Sequence, residues 1–458
     1  MAKLTIQTGD GAVVPGQETA AKQQEEQKAK AESQANSLFS QNPQPVDAGP
    51  DYTYKKIRFH KNDEVNPYAA EQDARHAMDA RLQKIIIMIV IMVVVFFLAC
   101  ILPTNVFDVT RYDRTIGTLA AETAASFQGF IGFFLDPNTA YGTYMLTVFV
   151  TLLAGAAMGL SGGVFQGALK NALASPSTLG VMQGGSVGAI IFALVVYPNS
   201  LTTTYNGSAS DLIDLRNNMS IGQLIIEDYG SFICALLGCV VVVGLVMLIA
   251  LLAGRGKVNN VSLVVAGQVF ASVIAVVLTF VRSWLHNHGD VDMATYLAQA
   301  QTATFTGSYT VTSVALFAIP LILCMVFVFM NATKLSLLAF NDEEARSMGI
   351  STTATRNLMV GVCTVLTALV VSFCGPVGFV GFLVPHMARK LIGPDFRYLL
   401  PACAVMGAIL VTAVFYITQL SIPYISSNGT GAFTSLIGCI AFLVIALRGR
   451  RSSGGEWL

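Results

Sequence analysis

From Ile85 onward the chain runs repeatedly into stretches of about 17 to 25 apolar residues, each long enough at 1.5 Å per residue to cross a hydrocarbon core of about 30 Å. Few folds tolerate this. Inside a bilayer every backbone N–H and C=O must find its partner within the protein, so such stretches are helices standing side by side. Lengths and flanking residues predict ten spans, at 85-102, 142-162, 179-197, 230-253, 260-281, 310-331, 357-374, 377-388, 399-419 and 432-447. The eighth is too short to cross as a straight helix. A further helical piece, 290-304, is too polar and too short to span, and is expected to lie within the protein at one face. The fold class is therefore an all-α polytopic membrane protein with about ten transmembrane helices.

The first apolar run begins only after a long polar segment and is followed by no small-residue cleavage site, so it reads as a retained span. Residues 1-84 form a separate N-terminal extension, rich in Gln, Ala, Lys and Glu and almost free of apolar clusters, expected to be largely disordered or a solvated helix. Residues 85-451 make the transmembrane domain, and 452-458 a short tail. The chain is 54% hydrophobic and 12% charged with no net charge, which fits lipid as its surroundings and gives no reason to expect nucleic acid. All eight cysteines sit in or beside apolar runs, where Cys behaves as a small hydrophobe.

An even number of spans places both termini on one side. With that side cytoplasmic, Arg111, Arg114, Arg216 and Arg282 are the basic residues outside, against Lys170, Arg255, Lys257, Lys334, Arg346, Arg356, Arg389, Lys390, Arg397, Arg448, Arg450 and Arg451 inside. That bias toward the cytoplasm supports the orientation.

An enzyme needs a nucleophile, base or metal cluster converging in one place, and no such motif is visible. There is no GxxxxGK followed by Ser or Thr, so this chain binds no nucleotide by that means. Only His286 and His288, near Asp290 and Asp292, lie close enough to hint at metal, and a polar surface loop explains them better. No metal site and no bound cofactor are expected. Gly184, Gly185 and Gly188 permit close helix packing in a membrane. Gln166, an isolated polar residue at the end of the second span, either faces a pathway or makes an interhelical hydrogen bond.

Two stretches carry more information. In NDEEARSMG, covering Asn341, Asp342, Glu343, Glu344, Ala345, Arg346, Ser347, Met348 and Gly349, carboxylates lead a short helix and a glycine ends it. The pattern predicts an amphipathic helix across the membrane face, either a solvated loop or a docking element. In GPVGFVGFLVPHMARKLIG, Gly375 and Pro376 close the seventh span, while Gly378 and Gly381 allow close packing. Pro385 is tolerated in a short return helix, His386 acts as a polar anchor, and Arg389 with Lys390 marks the inner boundary.

Four separated stretches together resemble the FecCD-type permeases of ATP-binding cassette importers. They are Gly159 to Ala189, Leu335 to Ile350, the GPVGFVGFLVPHMAR stretch, which is similar to the family's GPIGFVGLVVPHIAR, and GAFTSLIG from Gly431 to Gly438. They occur in the family's order, and the resemblance extends over residues 85 to 451. There are departures. Lys170 and Ala172 stand where the family has Arg and Pro, which implies a less rigid loop. Tyr416 and Gln419 lie where an acidic residue and Arg are usual, and Ser427, Asn428 and Gly429 replace Glu-Leu-Pro.

The resemblance implies a type II ABC importer permease fold in a bacterial cell membrane, with both termini cytoplasmic. The permease would pair with an identical or related second permease, bind two cytoplasmic ATPase subunits that alone use ATP, and receive an iron-siderophore or similar metal chelate from an extracytoplasmic substrate-binding lipoprotein. Cobalamin or haem is the alternative cargo. Residues 341-349 would couple to the ATPase, and Arg111 and Arg114 would meet the binding protein. An ion-driven secondary transporter is the competing class, and it is disfavoured because the spans hold almost no ionisable residue to bind a coupling ion.

Overall fold

A computed structural model describes residues 69–101, 116–133, 140–192, 194, 220–253, 260–288, 297, 301, 303, 305, 309–340, 342–419 and 429–452. Among these residues there is no strand. The described helices are α1 (Ala69–Ile101), α2 (Ile116–Phe133), α3 (Ala140–Ala168), α4 (Val181–Ile191), α5 (Ile221–Ala253), α6 (Asn260–Asn287), α7 (Val311–Met330), α8 (Ala332–Phe340), α9 (Asp342–Ser347), α10 (Thr352–Cys374), α11 (Val380–Ile392), α12 (Phe396–Gln419) and α13 (Thr430–Ser452). Seven of them contain a segment long and apolar enough to cross a membrane: Met78–Ile101, Tyr141–Ala168, Tyr229–Val246, Val265–Asn287, Val311–Met330, Thr352–Cys374 and Phe396–Gln419. The expected third, eighth and tenth spans appear as α4, α11 and α13. The apolar parts of α4 and α13, Val181–Ile191 and Thr430–Ala441, and the whole of α11 are each shorter than a crossing helix.

The arrangement is organised around α3. Its apolar window is 89% buried, against 17% for α1 and 22% for both α5 and α6. Composition explains the difference. In lipid the hydrophobic effect does not drive helix against helix, so close packing of small residues takes its place. α3 carries Gly155, Gly159, Gly162 and Gly163 among its alanines, and it packs against α12, α11 and α10. Large apolar side chains point outward instead, as with Leu252, Phe280 and Met330, which are more than 70% exposed.

Hydrogen bonds close the helix ends. At one end of the bundle, Tyr144 Oη donates to Ala99 O at 2.9 Å, and Tyr141 Oη donates to Cys100 O. These satisfy two of the last carbonyls of α1, which have no partner within the helix. Tyr309 Oη does the same for Phe373 O near the end of α10, at 2.9 Å. At the other end, where α8 and α9 lie, Arg356 Nε donates to Ala168 O, the last carbonyl of α3, at 2.8 Å, and Lys84 Nζ donates to Leu391 O at 2.9 Å.

The structure adds three features to the sequence reading. The first helix starts at Ala69, well inside the segment assigned to the extension, because the polar run before Ile85 is built from strong helix formers such as Ala, Glu, Gln and Arg. The helix α2 was not foreseen. Its sequence, IGTLAAETAASFQGFIGF, lacks a sustained apolar run, yet it packs on α1 and α3. Residues 335–340, which lie outside every predicted span, continue a helix that starts at Ala332. Residues 1–68 and most of 290–304 lie outside the described residues.

Candidate functional site

Two features stand out in the described structure: a short helix offered at one end of the bundle, and a cavity beside α4.

The short helix is α9. Gly349, at φ 80°, ends it in the left-handed conformation that glycine adopts without a Cβ penalty. Ile350 N–H donates to Ala345 O at 3.0 Å and Gly349 N–H to Arg346 O at 2.9 Å, the paired bonds of a Schellman cap. Ala345 is fully buried, while Glu343, Glu344, Arg346, Ser347 and Met348 face outward. The exposed face therefore offers two carboxylates, a guanidinium and an apolar tip, Met348 at 61% exposure. Arg346 Nε also reaches Thr352 Oγ1, at the start of α10, at 3.4 Å. Of the predicted coupling residues, Asn341 lies outside the described residues, as does the side chain of Asp342.

The helix that precedes α9 is tied into the bundle. In α8, Leu335 and Leu338 are fully buried. Ser336 Oγ donates to Asp395 Oδ1 at 3.2 Å and accepts from Phe396 N–H at 3.0 Å, joining α8 to the first turn of α12. Asp395 also pairs with Arg397 at 2.8 Å. Burial pushes the Asp395 carboxyl up, but hydrogen bonds and charge from Arg397, with a smaller contribution from Ser336, outweigh it and hold the group below the usual aspartate value. Sequence reading passed over Ser336 and Asp395, because nothing in the local pattern brings residues 59 apart together.

The cavity has a volume of about 920 Å³ and is walled by the 173–178 loop, α4, α6, Gln301, residues 376–382 and α13. Its size is that of a small-molecule site. Pro376 and Gly378, predicted pathway residues, are on its wall, and so are Phe379 and Phe382. Phe379 has φ 61°, a conformation that costs a bulky L-residue of order 1–3 kcal/mol. It fits because α13 presents Gly438 there: a Cβ on Gly438 would lie 2.2 Å from the Cβ of Phe379. Strain held in place by packing is a recurrent mark of ligand sites.

The remaining predicted residues serve packing. Gly375, at φ 75°, caps α10. Gly381 packs against Gly162 and Pro176. Pro385 lies within α11 and has no N–H for Gly381 O, so that carbonyl sits against the Gly162 backbone of α3 in its place. Gln166 is 2% exposed and donates through Nε2 to Phe382 O at 3.3 Å, an interhelical bond, and it is not among the cavity's described lining residues. His386 Nε2 is buried without a partner among the described residues, and Arg389 is half-buried in the last turn of α11. The described residues contain no cluster of three or more metal-ligating side chains. His288 Nδ1 lies 2.8 Å from Trp284 O within its own helical turn, while Asp290 and Asp292 fall outside the described residues. Arg111 and Arg114 do as well.

The loop after α3 is firmer than Lys170 and Ala172 led us to expect. Thr178 Oγ1 accepts from Ser175 N–H at 2.9 Å, Ser175 Oγ accepts from Thr178 N–H at 3.2 Å, and Asn171 Oδ1 accepts from Leu173 N–H at 2.9 Å. Side-chain bonds to backbone thus supply order where a proline is missing.

A family model described as the FecCD transport family matches residues 114–448. Among curated proteins, the chain is 29% identical over 305 residues to the iron(3+)-hydroxamate import system permease FhuB of Bacillus subtilis, covering 65% of this chain and 68% of that one. It is 29% identical over 315 residues to the hemin transport system permease HmuU of Yersinia pestis, covering 67% and 83%. It is 26% identical over 306 residues to the ferric enterobactin permease FepG of Escherichia coli, covering 66% and 81%. A solved structure of a metal-chelate type ABC transporter in an inward-facing conformation superposes with a TM-score of 0.57 at 19% identity, covering 80% of this chain and 99% of that one, a likeness of fold.

Proposed function

Because the chain belongs to the FecCD transport family, we propose that it is the membrane-spanning permease of an ATP-driven importer, moving a metal chelate across a bacterial cell membrane. A separate pair of ATPase subunits would hydrolyse ATP, a second permease copy or relative would complete the pathway, and an extracytoplasmic binding protein would deliver the cargo. Relatives named for hydroxamate, hemin and enterobactin transport support the chelate class.

The observation that carries this reading is α9. A capped, outward-facing helix bearing Glu343, Glu344, Arg346 and Met348, with Ala345 locked into the protein, supports docking of a partner at this helix. The end that bears α9 also carries Lys84, Lys170, Lys334, Arg356, Arg389, Lys390 and Arg397, whereas Arg282 lies near the opposite end of α6. That bias is the one expected of a cytoplasmic face. ATP-driven movement of the ATPases would pull on α9 and shift the permease between outward-open and inward-open states through differential binding.

The test is reconstitution in vesicles with the cognate ATPase and binding protein. Replacing Glu344 and Arg346 together is expected to leave docking of the loaded binding protein intact while uptake per ATP hydrolysed falls at least tenfold. Unchanged uptake by the double variant would remove α9 from the coupling path.

A further inference from the structure

The cavity beside α4 also has a chemical character. Seven of its lining side chains, Gln183, Gln268, Gln301, Ser177, Thr178, Ser186 and Ser435, are amides or hydroxyls, and among the described residues none of its lining side chains is charged. Ser186 Oγ donates to Met182 O at 3.1 Å and Ser435 Oγ donates to Gly431 O at 2.8 Å, so both hydroxyls spend their proton on their own helix and keep lone pairs for a solute. Gly378 leaves the room that this needs, since a Cβ there would lie 2.4 Å from Ser435 Oγ. Gln183 Oε1 and Gln301 Nε2 are buried with no hydrogen-bond partner among the described residues. Each is an unsatisfied polar atom of a lining side chain, and an amide rotation that brought it to a solute would add a hydrogen bond where none exists.

Such a wall discriminates by charge. An ion leaving water for a wall whose described side chains offer no counter-charge loses hydration and recovers little, whereas a neutral solute with carbonyl, amide and hydroxyl groups exchanges one set of hydrogen bonds for another. The apolar remainder, including Met182, Ile274, Leu278, Phe379 and Phe382, suits the hydrocarbon backbone of such a solute. Resting on the importer reading above, we infer that this cavity is a selectivity site for metal chelates of zero net charge with an amide-, hydroxamate- or hydroxyl-bearing surface, and that it rejects polyanionic chelates. Gln183 and Gln301 fix the orientation of the cargo there, and the strained turn at Phe379 forms the apolar side of the same wall.

The experiment uses the assembled permease–ATPase complex in lipid nanodiscs without binding protein, and measures retention of two iron-55 chelates of similar size, a neutral ferric trihydroxamate and a trianionic ferric tris-catecholate. The neutral chelate is expected to be retained at least tenfold better. Gln183→Glu and Gln301→Glu, which place a carboxylate in the wall, are expected to weaken retention of the neutral chelate about tenfold, and the near-isosteric Gln183→Met severalfold. Co-elution of each variant with the ATPase on gel filtration reports whether it folds. Equal retention of both chelates by the wild-type complex, or full retention by folded Gln→Glu variants, overturns the inference. Retention of neither chelate overturns it too. If the complete importer with its binding protein still takes up chelate, the importer reading stands without this site, and if uptake is also absent, both fall.

Discussion

Replacing Gly162 by alanine tests the packing that places α11. A Cβ built on Gly162 would lie 1.8 Å from Gly381 O and 2.5 Å from the Gly381 Cα, and real Cβ contacts essentially never fall under 3.0 Å. The obstacle is backbone, so no rotamer change relieves it, and α3 and α11 must part by at least about 1.2 Å at this point. Overpacking of this kind costs about 1–3 kcal/mol, and two opposed backbones put it at the upper end. Alanine returns about 1 kcal/mol of helix propensity, leaving a net loss of about 2 kcal/mol. For a chain of this length that is a fall of a few degrees in the thermal midpoint of the purified protein, on the order of 5 °C or less. Gly361→Ala is the control. Gly361 lies on the exposed face of α10 with nothing within 4 Å of an added Cβ, so the same substitution there is expected to be neutral or stabilising by up to about 1 kcal/mol. Because α11 carries Phe382 to the cavity wall and accepts the Gln166 hydrogen bond, Gly162→Ala is expected to lower chelate uptake as well. A Gly162→Ala protein with the midpoint and uptake of the wild type would refute the argument that this contact sets the helix positions.

Ser336→Ala leaves the buried Phe396 N–H without its side-chain partner, an expected cost of about 1–3 kcal/mol in thermal stability. Asp395 has its pKa held below the usual value, so its contribution to stability is fully present above the unfolded-state value near 4 and is lost only as pH falls through the lower folded value. The Ser336→Ala effect is therefore expected to be constant from pH 5 to 8, and a midpoint difference that changed across that window would contradict an ionised Asp395. Lys170, at φ 49°, ends α3 with Schellman bonds from Lys170 N–H to Gly167 O and from Asn171 N–H to Gln166 O. Lys170→Gly is expected to stabilise the protein by up to about 1 kcal/mol, and a lower midpoint would show that the lysine side chain offsets its backbone cost.

How much was legible in the sequence follows the physics of each element. The long spans were, because a bilayer demands an apolar run of fixed length whatever surrounds it. Gly349 was, because a helix stop is local chemistry. The start of α1 at Ala69 was missed because hydropathy registers only the lipid-facing part of a helix, and α2 because a helix packed on neighbours near a membrane boundary need not be apolar throughout. Gln183 and Gln268 stand in apolar runs, where an isolated amide is itself a signal, but their convergence with Gln301 and Ser435 on one cavity depends on long-range packing that no local pattern encodes.

The stretch from Gly375 to Gly393 shows why breakers gather in one place. Its first part lines the cavity through Pro376, Gly378, Phe379 and Phe382, its middle is wedged by Gly381 against Gly162, and it leads directly into Asp395, which binds Ser336 of α8, next in sequence to α9. Each duty excludes an ordinary helical residue: the wall needs a turn in mid-bundle, the wedge needs a missing Cβ on both sides, and the carbonyl facing Gly162 is one that Pro385 leaves without an N–H donor. The wedge has a mechanical consequence. Helices in backbone contact do not slide past one another without first separating, so α11 and α3 move together. Displacement of α9 that reached Asp395 through α8 would act on the Pro376–Phe382 wall, which is itself packed against Ser435 and Gly438 of α13.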